Sequence, residues 1–139
     1  MYCVEPFTNK RYKAAKIKQC EECQYCGEET QDFEHLYEQC ETVKAMRDRL
    51  AARWEHKPTT KTWVVGTGTK NAADRAMTFI AIELNHYIHM TNWKNEELSI
   101  KDFKSRLRGI EVIERRIAEK KHKTHTHEAK WKDVFQLLS

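Results

Sequence analysis

The chain has 139 residues, a net charge of +4 and 33% charged residues, a length that supports one modest core or a minidomain beside a helical domain. No stretch is apolar enough to span a bilayer, and Met1-Tyr2-Cys3-Val4-Glu5-Pro6 lacks the charged-then-apolar pattern of a secretory signal. The expectation is an intracellular protein, nuclear or cytoplasmic, without a membrane partner, whose cysteines stay reduced.

The first segment, 1–19, is basic, with Lys10, Arg11, Lys13, Lys16 and Lys18 set against Glu5. The next segment, 20–56, contains Cys23, Cys26, His35 and Cys40, spaced CxxC, eight residues, His, four residues, Cys. Three thiolates and one imidazole are the ligand set that zinc takes in closed, tetrahedral structural sites, with no position left for a reactive water. Two cysteines separated by two residues can turn back on one ion, and Gly27 supplies backbone freedom after the second. Cys20 creates a register ambiguity, because Cys20, Cys23 and Cys26 read CxxCxxC. Glu21 and Glu22 after Cys20 offer no such freedom, so Cys23 and Cys26 are the expected ligands and Cys20 a spare thiol. His35 and Cys40 are expected on or beside a short helix, with Phe33, Leu36 and Tyr37 packing under the metal. The competing reading of these cysteines is small buried residues or disulfide partners.

Charge is segregated around this cluster. Residues 21–42 carry eight acids and no Lys or Arg, whereas 43–61 carry six basic against two acidic side chains and 99–139 eleven against six. Basic flanks of this kind neutralise phosphates and give salt-sensitive nucleic-acid binding, or are solvated helix faces.

After the cluster, Val43, Met46, Leu50 and Trp54 recur at spacings of three and four and predict a helix over 41–55, ended by Pro58. A loop over 57–71 follows, in which 63–68 reads as a loop or extended piece; its two glycines do not make a phosphate-binding loop. Asn71 can cap a helix running to about residue 90, and Met77, Phe79, Ile80, Leu84, Tyr87 and Ile88 make it the most buried one. Ser99 and Asp102 resemble a capping box opening a helix to about 121, with Ile100, Phe103, Leu107, Ile110, Ile113 or Glu114, and Ile117 at three-four spacing. A last helix over 128–138 offers Trp131, Val134, Phe135 and Leu138. The C-terminal helical region is thus 72–139. The fold class predicted is mainly α: a small zinc knuckle followed by a bundle of about four helices.

The basic run 120–127 reads as an interhelical loop able to touch phosphate, with a weaker reading of His125 and His127 as metal ligands; His86 and His89 lack a third ligand. Asp32, Asp48, Asp74, Asp102 and Asp133 stand alone, without the paired aspartates of a polymerase or the converging carboxylates of a nuclease, and no nucleophile triad is assignable. The chain is not expected to be an enzyme by itself.

The segment 16–40, with its CxxCG turn, the acidic Thr30-containing stretch and His35-Leu36-Tyr37 before Cys40, resembles the cysteine-rich zinc-binding region near the C-terminus of LINE-type non-LTR retrotransposon reverse transcriptases. Tyr37 stands where the family usually has Phe, and weaker similarity runs through Trp54, Trp93, the Ser99 helix and Trp131. The resemblance implies a C-terminal part of a polyprotein whose polymerase lies upstream, with Cys23, Cys26, His35 and Cys40 as Zn2+ ligands and a role in binding RNA or DNA during target-primed reverse transcription. Retroviral knuckles place their histidine closer to the second cysteine, so their guanine-binding mode is not implied.

Two functions follow. In the first, Lys10, Arg11, Lys13, Lys16, Lys18, Arg47 and Arg106 contact phosphates, and Tyr12 or Trp63 stacks on an unpaired base or simply packs. In the second, a non-catalytic scaffold docks on the polymerase core or a host factor through the acidic knuckle and an apolar helix face.

Overall fold

The structure, a computed structural model, describes residues 8–15, 21–67 and 71–139; Lys16, Lys18 and Cys20 lie outside them. Among the described residues the chain is mainly α, with no strand. A short helix, α1 (Asn9–Ala14), precedes the knuckle, and a π-helical turn (His35–Gln39) leads into α2 (Glu41–Leu50). The remaining helices are α3 (Thr60–Val65), α4 (Ala72–Lys94), α5 (Ile100–Lys120) and α6 (Thr124–Leu138). The predicted class, a Cys/His knuckle leading into a helical bundle, is the one observed.

Local chemistry sets most boundaries. Asn71 Oδ1 accepts from the Asp74 amide (2.9 Å) and Ser99 Oγ from the Asp102 amide (3.3 Å), so both N-caps are made, but the reciprocal half of the capping box is not: the Ser99 amide donates to Tyr87 Oη (3.1 Å). At its other end α4 runs past residue 90 to Lys94, where Asn95 takes a left-handed conformation (φ 55°) and stops it. Helix α2 is shorter than 41–55, because the chain leaves the helix after Leu50 and carries Trp54 across to the bundle. There Trp54 stacks on Trp63 (5.5 Å between ring centres), and its Nε1 donates to the Leu137 carbonyl (2.6 Å).

The segment read as a loop or extended piece is helical as far as Val65, and Gly68 lies outside the described residues. Thr59 Oγ1 accepts from the Thr62 amide (3.2 Å) and starts α3; Gly66, at φ 83°, ends it. A side chain at Gly66 would also meet Thr78, 2.8 Å from the ideal Cβ position. Helix α6 begins at Thr124, so the basic loop contracts to a tight turn through Lys121–Lys123 in which His122 takes φ 55°.

Helix α4 is the central helix, as expected, burying Ile80, Ala81, Leu84, Tyr87, Ile88 and Asn92 among others. One apolar cluster joins it to Cys23, Leu36, Cys40 and Val43 of the knuckle side and to Phe103, Leu107, Trp131 and Val134 of the bundle. On α5 the inner position is Glu114, which accepts from Trp131 Nε1 (2.8 Å) and pairs with Lys130 (2.9 Å). Ile113 and Ile117 turn outward, 62% and 48% exposed.

Candidate metal centre

The CxxC turn folds because Gly27 adopts φ 83° and donates its amide to the Cys23 carbonyl (2.8 Å), while the Cys23 amide donates to Glu28 (2.9 Å). Those two bonds close a loop around the first two ligands. On the opposite side, Asp32 Oδ1 accepts from the His35 amide (2.8 Å), and the wide turn closes with the Cys40 amide donating to the His35 carbonyl (2.6 Å). Spanning five residues instead of four brings His35 and Cys40 toward the same point. Cys40 then sits at the N-terminus of α2, where the helix dipole favours a thiolate.

The four ligand atoms of Cys23, Cys26, His35 and Cys40 lie within 4.8 Å of one another. Cys23 Sγ and Cys40 Sγ are 3.8 Å apart, and Cys26 Sγ is 3.2 Å from His35 Nε2. Tetrahedral thiolates bound at about 2.3 Å are about 3.8 Å apart, so the first separation is that of two ligands on one ion. These four residues are therefore placed to hold a metal ion. The Cys23 thiol is pulled down, chiefly by the Cys40 thiol and further by Gln31, while that same bond and burial push Cys40 up.

Around the ligands lies a shell the sequence did not announce. Gln31 is fully buried, and each polar position of its amide is used. Nε2 donates to Cys23 Sγ (3.5 Å) and to Asn92 Oδ1 (2.9 Å); Oε1 accepts from Asn92 Nδ2 (2.9 Å) and from the Asn9 amide (2.7 Å). One side chain thus ties the second half of the knuckle to a ligand sulfur, to α4 and to α1. A further clasp comes from the CxxC spacers: Tyr25 Oη is 2.6 Å from Thr91 Oγ1 and donates to the Ile88 carbonyl (3.2 Å), and Gln24 Nε2 donates to the Thr91 carbonyl (3.2 Å).

Arg47 is not on the surface. It is 2% exposed and donates through Nη1 to the Tyr37 carbonyl and through Nη2 to Asn85 Oδ1 (3.5 Å). Burial lowers it to about 10, so it stays cationic at neutral pH. Its expected phosphate contact is corrected accordingly: the guanidinium is buried and ties the turn before α2 to α4. Tyr12 and Trp63, the two candidates for base stacking, are also interior, Tyr12 against Trp93 (5.0 Å) and Trp63 on Trp54.

Lys10, Arg11 and Lys13 are exposed on α1, with Lys13 3.9 Å from Glu21. Arg106 is half-buried and donates through Nη2 to His86 Nδ1 (3.0 Å). The metal pairing of His125 with His127 is not formed: His127 is buried with its Nε2 3.0 Å from Glu111, while His125 is exposed. The outer side of the centre is acidic: Glu28, Glu29, Asp32 and Glu41 line a cleft of about 490 Å³ beside Cys26 and His35. Comparison with protein-family models, curated proteins and solved structures gives no match.

Proposed function

We propose that this chain is a zinc-binding module that holds nucleic acid for a reverse transcriptase of the LINE type, assisting template or target binding and carrying no catalytic group of its own. The observation that carries the reading is the closed Cys3His cluster with the exposed cations of α1 tied to it through Gln31 and Asn9. Soft thiolates with one imidazole suit zinc, and the set leaves no ligand position for a substrate. When bound, the ion offsets the charge of the thiolates and fixes the turn at Cys23 and Cys26 to that at His35 and Cys40.

Around it the chain's own residues do the work. Gln31 orients Cys23, Arg47 ties the turn before α2 to α4, and α1 presents Lys10, Arg11 and Lys13 to phosphates. The acidic cleft at Cys26 repels phosphate and favours, for that face alone, a second role as a contact for the polymerase core or a host protein.

Metal content by atomic emission, measured with salt-dependent binding of single-stranded RNA, single-stranded DNA and duplex DNA, tests the proposal. One zinc per chain and affinity that falls steeply with salt are expected. One zinc without binding would overturn the nucleic-acid role and leave the docking role; no zinc would overturn both.

A further inference from the structure

Beside the metal centre is a cleft for which metal binding has no use. Phe33 and Tyr37 flank the ligand His35, their rings 5.0 Å apart and inclined at 38°. With Val64 of α3 and Asn85, His86 and His89 of α4 they line a space of about 300 Å³, at the small end of ligand-binding clefts. Two of its three polar residues are engaged. Asn85 Nδ2 donates to the Trp63 and Val64 carbonyls (2.9 and 3.3 Å), and His86 Nδ1 accepts from Arg106. His89 Nδ1 is buried without a hydrogen-bond partner among the described residues, and the rest of the lining, His86 apart, is chiefly aromatic and aliphatic, suited to a flat ring.

Cations from two distant parts of the sequence connect to it through residues of its lining. Arg106 reaches it through His86 on one side. On the other, Phe33 is also a wall of the groove that contains Lys10 and Arg11 of α1. Asp32 and Glu34 share that groove and oppose a phosphate at their end of it, so the phosphate contact falls to the exposed Lys10 and Arg11 on its α1 side. An aromatic recess between cations is the arrangement that single-stranded nucleic acid requires, the base stacking while its neighbouring phosphates are neutralised.

We propose that this cleft receives one unpaired base of a single strand, stacked on Phe33, with the adjoining phosphates on Arg106 and on Lys10 and Arg11. The inference rests on the nucleic-acid reading above and adds to it where the base sits.

The test compares a uridine strand of about ten residues with an abasic strand of equal length and charge, by fluorescence anisotropy on the metal-loaded chain. The uridine strand should bind roughly tenfold tighter, the effect of stacking about one base. Phe33→Leu, which keeps an apolar side chain without the ring face, and Val64→Phe, which fills the cleft from α3, should each bring the two affinities together with unchanged zinc content. Val64→Phe leaves the metal turn alone, so it decides the matter should Phe33→Leu lose zinc. Equal affinity in the unaltered chain would overturn the base site while leaving phosphate binding intact. A preference that survives both substitutions would overturn it as well, and binding of neither strand would overturn it together with the nucleic-acid role.

Discussion

Gln31→Met keeps most of the side-chain volume at a fully buried position and removes the amide. The Asn9 amide and both polar atoms of the Asn92 side chain, also fully buried, then lose their bonds to it. Two or three buried groups each losing a hydrogen bond, at about 1–3 kcal/mol each, give an expected loss of about 2–9 kcal/mol. Against a total stability of about 5–15 kcal/mol for a domain of ordinary size, that is a large fraction. Asn92→Leu should cost a similar amount, but the two changes together should cost less than their sum by about 1–3 kcal/mol, because each removes the group the other strands. The assay is denaturant unfolding at fixed free zinc, since an ion that binds only the folded chain adds its own stabilisation. A loss below about 0.5 kcal/mol for Gln31→Met, the size of an ordinary surface change, would refute the reasoning. Strict additivity of the pair would refute it too, by showing that the two amides do not depend on one another.

Cys26→Ser should abolish stoichiometric zinc and lower the unfolding midpoint, since binding and folding are coupled in small metal units; full zinc retention, read by atomic emission, would mean the ligand set is wrong. Reversing Lys10, Arg11 and Lys13 to Glu should weaken strand binding and lower the log–log salt slope by about 2 if three phosphates are neutralised, with zinc content unchanged; an unaltered slope would remove α1 from the interface. His89 has its pKa lowered, by burial first and by His86 second. The unfolded chain therefore binds more protons near pH 6.5, so this group's contribution is full above that pH and is lost as pH falls below it. The difference in stability between the parent and His89→Leu, followed from pH 7.5 to about 5.5, should shift in favour of the variant; a constant difference would contradict the assignment.

The ligands were legible because soft side chains at turn spacing leave a mark that packing does not erase. The same holds for Asn71 and Ser99, whose caps are local events. Helix α3 was not legible. Thr60-Lys61-Thr62-Trp63-Val64-Val65 is β-prone in isolation, and it is helical because Thr59 caps it and Trp63 packs on Trp54, residues the local pattern cannot pair. Arg47 could have been caught: it lies four residues after Val43 and three before Leu50, on the apolar stripe itself, where a surface cation does not belong. Gln31 left no signal at all. A glutamine in an acidic run reads as solvated, and only the approach of α1 and α4 makes it interior. On α5, three-four spacing left Ile113 and Glu114 as alternatives; the indole of Trp131 chose the glutamate.

The pairing of the CxxC spacers with α4 limits how far this knuckle is a portable part. Gln24 and Tyr25 are the two positions that a ligand pattern writes as x, yet here they satisfy the Thr91 and Ile88 carbonyls in the closing turns of a helix more than sixty residues away. Grafting the four ligands into a foreign scaffold would carry over the coordination and leave those helix carbonyls behind. Exchanging the spacers within this chain would preserve the ligands and unfasten the helix. Interchangeability between such knuckles is therefore bounded by what their spacers grip, and a matched change at Thr91 is the first compensation a successful exchange would need.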